Sequence, residues 1–212
     1  MFSDMVTIFQ SGGIFMYPIL FVFAFGIAIA IERYIYLSAL KINNRRLLGK
    51  VMPLLKQGSY QEAYQITSRS SNVAICQMLN MGIATMQSSS RREDIEMAME
   101  EELMEIMPRL EKRTHYLAML ANISTLLGLL GTIQGLIQAF NSVAQVDPSL
   151  KAEILSSSIS VAMNTTAFGL LAAIPLIIIF SILQAKTTEI VDSLEMATVK
   201  FVNLLAKRKS QA

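Results

Sequence analysis

The sequence predicts an all-α, polytopic membrane protein with three transmembrane helices, and two observations carry that expectation. Hydrophobic residues make up 53% of 212 positions and the mean hydropathy is +0.47, values unusual for a soluble domain. Charged side chains are also absent from Met5 to Ile31, from Tyr116 to Val146 and from Ile154 to Ala185. Each run exceeds the ~20 residues that cross a hydrocarbon layer at a rise of ~1.5 Å per residue.

Taken in chain order, residues 1–13 form an N-terminal segment and 14–37 the first span. Its apolar stretch, Ile14 to Ile31, sets Phe21, Phe23 and Phe25 among aliphatic residues and ends in Glu32-Arg33-Tyr34, where Glu32 and Arg33 serve as interface anchors. A cleaved secretory signal needs a basic start and a small-residue cleavage site. Asp4 precedes this run and no cleavage motif follows it, so an uncleaved span is expected.

Residues 38–115 are the one sizeable polar region, and their apolar positions recur at helical spacing. Leu47, Val51, Leu54 and Leu55 form a stripe, Gly58-Ser59 breaks it, and Tyr60 to Tyr64 opens a second helix. Ser68 to Asn72 reads as a turn and Val73 to Met86 as a third helix, with Ser88-Ser89-Ser90 supplying an N-cap for the next. There Glu93, Asp94 and Glu96 load the first turns with negative charge, while Ile95, Met99, Leu103, Ile106 and Leu110 follow one face. With no glycine-rich break before the second span, one long helix from Arg91 to Phe140 is expected, kinked at Pro108. The run Glu100-Glu101-Glu102 reads as a solvated face.

The second span covers 116–140 and the third 158–183. A loop, 141–157, separates them, and 184–212 forms a C-terminal helix. Of 18 Lys and Arg, 12 lie between Arg33 and Arg113 and 5 from Lys186 onward, leaving Lys151 alone between the two spans. Basic residues gather on the cytoplasmic side, so the N-terminus and the 141–157 loop are expected outside, with the polar region and C-terminus in the cytoplasm. Arg45, Arg46 and Lys50, and the Lys207-Arg208-Lys209 run, also suit anionic membrane lipids.

Within the spans, small residues recur on one face. Gly128, Thr132, Gly135 and Ala139 follow steps of four, three and four, and Ala162, Thr166, Gly169 and Ala173 repeat them. Such faces let helix backbones approach closely where lipid removes the hydrophobic drive. The two matching threonines, with Asn164 and Thr165 beside the second, fit either ordinary helix-to-helix hydrogen bonding or an ion-handling path. Pro175 removes a backbone donor and bends the third span. No Asp, Glu, Lys or Arg lies deep in any span, so a partner must supply an ionisable group or neutral oxygens must suffice.

Other chemistry finds little support. Cys76 and His115 are single and form no metal-ligand set, no paired nucleophile and base suggests an enzyme, and no basic patch interleaved with aromatics suggests nucleic acid. No cofactor is expected. His115 reads as an interfacial residue.

The segment Leu126-Leu127-Gly128-Leu129-Leu130-Gly131-Thr132-Ile133-Gln134-Gly135 resembles the second-span signature of the MotA/TolQ/ExbB proton-channel family. The likeness extends to Ile31-Glu32-Arg33, Pro108-Arg109-Leu110-Glu111, Thr166-Ala167-Phe168-Gly169-Leu170 and Ala173-Ile174-Pro175. Three spans favour the ExbB/TolQ branch over MotA, which has four. The resemblance implies a bacterial inner-membrane motor subunit: a homo-pentamer around two single-span ExbD/TolR-like subunits, each bringing a membrane aspartate. Ion flow would turn the pentamer and do work on a TonB-like or TolA-like protein. Thr132 and Thr166 match the family's pore-lining threonines, and Gly128, Gly131, Gly135, Ala139, Ala162, Gly169, Ala173 and Pro175 match the packing or pore face.

One departure bears on the ion. Where the family commonly has a glutamate five residues before the third-span threonine, this sequence has Val161. Asn164 and Thr165 enrich the site in neutral oxygens, and a transient sodium ion at Thr132 and Thr166 stands beside a proton as a candidate. A non-conducting scaffold that assembles partners is the alternative function. The powered system and its cargo are not specified by these residues.

Overall fold

A computed structural model describes residues 13–89, 91–144 and 146–209, without the side chains of Arg208 and Lys209. Most of the expected N-terminal segment 1–13, with Asp4, therefore lies outside the described residues, as do Ser90 and the side chains of the final basic pair. The described residues form six helices: α1 Met16–Gln57, α2 Tyr60–Arg69, α3 Ala74–Ser88, α4 Arg92–Glu111, α5 Thr114–Val143 and α6 Lys151–Lys209. Helix α1, the α4–α5 stretch and helix α6 are each long and apolar enough to cross a membrane, and the all-helical architecture fits a membrane protein.

The chain divides into two compact units. The first comprises residues 1–32 and 113–182, the second 33–112 and 183–212. In the first, the start of α1 packs beside α5 and α6. A side-chain carbon added at Gly26 would lie 2.7 Å from Leu176, so α1 meets α6 where it has no side chain. Many large apolar residues of these helices remain exposed, among them Phe21, Phe25, Leu126, Phe140 and Ile174, as lipid-facing or chain-facing surfaces must.

The second unit has a conventional apolar core. Leu37, Val51, Leu55, Ile75, Met78, Leu79, Met99 and Phe201 are buried, and a carbon at Gly82 would strike Met99 and Phe201, which fixes how closely α3 packs. The face foreseen on α4, Ile95, Met99, Leu103, Ile106 and Leu110, is its buried set. The break at Gly58 is also present, with φ +83°, a conformation glycine adopts without steric cost. Helix α3 begins at Val73 without a side-chain cap of its own. Asn44 of α1 instead accepts a hydrogen bond from the Ile75 N–H at 3.3 Å, satisfying one donor that a helix start leaves open.

Three local expectations are corrected. The long helix from Arg91 to Phe140 is broken at Lys112–Arg113, and Pro108 sits inside α4 without ending it. Lys112 N–H closes the last turn on the Pro108 carbonyl at 3.0 Å, and Arg113 then takes a left-handed φ of 64°. The cap position of α4 is held by Arg91, without a side-chain cap bond, and not by Ser88 or Ser89. Ser89 stands two residues back, accepting the Arg91 N–H at 3.2 Å and donating to Asp94 at 2.6 Å. Helix α6 starts at Lys151, inside the stretch read as the 141–157 loop, because Glu153 in its first turn and an unbroken run of helix-tolerant residues favour early nucleation.

Candidate site between two apolar helices

Helices α5 and α6 meet through their small residues. A carbon added at Gly169 would lie 2.7 Å from the Ser124 carbonyl and 3.0 Å from the Gly128 Cα; one at Gly128 would lie 3.3 Å from the Cα atoms of Gly169 and Thr166. One turn on from Gly128, a carbon at Gly131 would collide with Thr165, and two turns on, one at Gly135 would lie 2.8 Å from Ala162. Residue numbers rise on one helix as they fall on the other, so the pair runs antiparallel with backbones in contact. Ala139, Ala162 and Ala173 are buried beside them. Any side chain at the glycines would push the helices apart, which is the physical reason for the small-residue steps. Pro175 is half-buried inside a continuous α6.

That close approach brings two hydroxyls together. Thr132 Oγ1 and Thr166 Oγ1 are 2.6 Å apart, and both reach the Gly128 carbonyl, at 3.1 and 2.9 Å. Two hydroxyl protons face three contacts. Either Thr132 donates to the carbonyl and Thr166 to Thr132, or Thr166 donates to the carbonyl and Thr132 to Thr166. In both arrangements one hydroxyl oxygen accepts a bond and keeps a lone pair available. Both side chains are half-buried.

The remaining residues proposed from sequence divide. Thr165 is buried, donates to the Val161 carbonyl at 3.0 Å and presses its methyl against Gly131, so its place is in the packing seam. Asn164 is half-buried on the same helix. Two contributors were missed by the sequence reading: Ser124, fully buried and donating to Leu120 O at 3.0 Å, and Gly26 on α1. Ser124 extends the Gly128 stripe by one further step of four, and that spacing is the signal for it.

The paired residues Glu32 and Arg33 take separate partners. Glu32 forms an ion pair with Arg113 at 3.0 Å. Arg33 is buried, donates to the Leu110 carbonyl and lies over the Tyr36 ring at 4.9 Å. A cation at the open carbonyls of a helix end satisfies an acceptor and opposes the dipole's negative pole. Lys186 likewise sits 3.5 Å above the Tyr34 ring and donates to Ser38 at 2.8 Å. His115 is exposed, with its ring 6.5 Å from that of Phe180. Among the described residues, no group of three or more His, Cys, Asp or Glu is placed to hold a metal ion.

Comparison with known proteins gives a consistent picture. The MotA/TolQ/ExbB proton channel family matches residues 70–196. An ExbB homologue of the biopolymer transport proteins from Methanothermobacter thermautotrophicus is 26% identical over 200 residues, covering 92% of this chain and 68% of that protein. The biopolymer transport protein exbB1 of Vibrio cholerae is 41% identical over 88 residues, 42% of this chain and 38% of that one. The Tol-Pal system protein TolQ of Haemophilus influenzae is 32% identical over 81 residues, 38% of this chain and 35% of its own length.

Proposed function

Because this chain belongs to the MotA/TolQ/ExbB proton channel family, in its ExbB/TolQ branch, we propose that it is the multi-span subunit of an ion-driven inner-membrane motor. On this reading segments 14–37, 116–140 and 158–183 cross the bilayer. Residues 1–13 and 141–157 face the periplasm, and 38–115 and 184–212 the cytoplasm. Five copies surround two single-span ExbD/TolR-like helices, whose work reaches a TonB-like or TolA-like protein.

The observation that carries the reading is the Thr132–Thr166 hydroxyl pair on the Gly128 carbonyl. A polar cluster in an apolar span is costly unless it has a function or a partner. This pair offers a neutral acceptor with two interchangeable proton arrangements, suited to stand beside a partner's carboxylate while no Asp or Glu of the chain itself lies deep in a span. A proton passing to that carboxylate, or a partly dehydrated sodium ion, would both be served by such oxygens. A membrane potential supplies about 2.3 kcal/mol per charge per 100 mV, so mechanical work requires repeated ion passages.

One observation favours the scaffold as a second reading: both threonines are satisfied within the chain, and the glycines are taken up by helix packing. Thr132→Ala and Thr166→Ala separate the two. A motor assembles with its partner and loses ion flux and work, whereas a scaffold keeps full function. Flux through the reconstituted complex in sodium-free buffer at neutral pH then identifies the ion; full activity there eliminates sodium.

A further inference from the structure

The second unit carries two open grooves of opposite charge, both outside the unit that holds Thr132 and Thr166. One, about 370 Å³, lies between α1 and α6; Lys56, Lys200 and Lys207 line it around Leu48, Met52 and Leu204. The other, about 390 Å³, lies between α4 and α6; Glu96, Glu100 and Glu195 line it around Met104, Met107 and Val199. Each has an apolar floor and three like charges. In the acidic groove Met104 is 68% and Val199 50% exposed, apolar surface of the kind that partner contacts cover.

Their placement on α6 is informative. Lys200, Leu204 and Lys207 follow one stripe, and Glu195, Thr198 and Val199 another. At 3.6 residues per turn, and with Asn203 counted in the first, these rows are centred roughly 140° apart around the helix. The two grooves therefore look away from each other, and one chain cannot fill its own basic groove with its own acidic one.

We propose that the basic groove of one copy docks against the acidic groove of the next. The rims of the two grooves carry opposite charge around apolar floors, so the partner whose charge the surface complements is a second copy of this chain. A two-fold contact would set one groove against itself, lysines on lysines or glutamates on glutamates, and is disfavoured by repulsion. A head-to-tail contact pairs unlike grooves and, when its rotation closes, yields a ring. Glu96 also pairs with Arg92 at 3.6 Å within α4, but an exposed i,i+4 pair contributes little and leaves the groove's acidic character to Glu100 and Glu195. The inference rests on the oligomeric reading above and specifies which surfaces of the second unit hold the oligomer.

The test uses the full chain in detergent and in lipid nanodiscs, with assembly mass read by native mass spectrometry. Three variants are compared with the wild type: Lys200→Glu with Lys207→Glu, Glu100→Lys with Glu195→Lys, and all four changes in one chain. The expected result is a wild-type oligomer, loss of assembly in each one-sided variant, and its return in the four-change chain, where the grooves are complementary again. That return shows that the one-sided losses are not misfolding. If all variants keep the wild-type mass, or the four-change chain does not regain it, the groove contact is overturned while the oligomeric reading stands. A monomeric wild type overturns both. In a Cys76→Ser background, bismaleimide should link chains carrying both Met104→Cys and Asn203→Cys into a ladder. Dimers from either single cysteine would indicate a two-fold contact and overturn the head-to-tail arrangement.

Discussion

The hydroxyl of Thr132 lies 2.6 Å from that of Thr166, and the carbonyl of Gly128 is within reach of both. The threonines thus act as one unit, and their substitutions should not add. Measured interhelical hydrogen bonds in membranes average about 0.6 kcal/mol and reach about 1.7. A double-mutant cycle with Thr132→Val and Thr166→Val, read by reversible unfolding in mild detergent, is expected to return a coupling of about 1 kcal/mol. A coupling indistinguishable from zero would mean that the pair does not form.

Glycines in the chain should respond to alanine in opposite directions. At Gly169 the added carbon would meet the Ser124 carbonyl at 2.7 Å, a backbone atom that cannot swing aside, whereas at Gly49 nothing lies within 4 Å. Gly169→Ala is expected to cost about 1–3 kcal/mol through overpacking. Gly49→Ala, in the interior of α1, should stabilise by about 0.5–1 kcal/mol by favouring the helix. Thermal unfolding of the two variants beside the wild type checks both signs.

How much of this was legible in the sequence depends on which signal each feature leaves. The buried face of α4 was readable because a polar helix declares its core at steps of three and four, and the Gly58 break because glycine marks a left-handed turn. The small-residue steps announced close packing in the spans. They did not announce the shared carbonyl, since a threonine stripe looks alike whether it bonds its own helix or the next. Ser124 went unread because serine is polar and the stripe was begun at a glycine. The Lys112–Arg113 break was hidden for a different reason: Arg113 adopts φ 64° without being glycine, and its partner Glu32 is 81 residues away.

That break makes Arg113 informative. A left-handed conformation costs a residue with a side chain about 1–2 kcal/mol, while an ion pair as exposed as Glu32–Arg113 contributes at most about 1 kcal/mol. Arg113→Gly should therefore leave stability within about 1 kcal/mol of the wild type, and Arg113→Val, which keeps the steric cost and loses the pair, should fall below it. Equal losses in both variants, measured by chemical unfolding, would show that the ion pair and not the backbone sets the break.

Arg33 should be far less tolerant. It is buried and donates to the Leu110 carbonyl at the end of α4. Arg33→Met fills much of the same volume but leaves that carbonyl without its charged donor. Losing a buried partner costs about 1–3 kcal/mol. The expected result is a loss of that size in global stability, with faster amide hydrogen exchange in the last turn of α4. Unchanged exchange there would place the arginine's contribution elsewhere.

Cys76 gives a pH dependence whose sign can be worked out. It is buried in α3, and burial pushes its thiol from 9.0 up to about 11 because the thiolate is poorly solvated there. Below about pH 9 the thiol is protonated in both the folded and the unfolded chain and does not affect stability. Between about 9 and 11 the unfolded chain releases the proton while the folded chain retains it, so the unfolded state binds fewer protons and stability falls as pH rises. Above about 11 the loss levels off. Cys76→Ser should remove this component, so the difference in stability between the two proteins is expected to be flat up to pH 9 and to change only above it. The same burial predicts slow maleimide labelling of the folded protein at pH 7.5, accelerated by denaturant. Rapid labelling without denaturant would show that the thiol is open to solvent and that the pH component is absent.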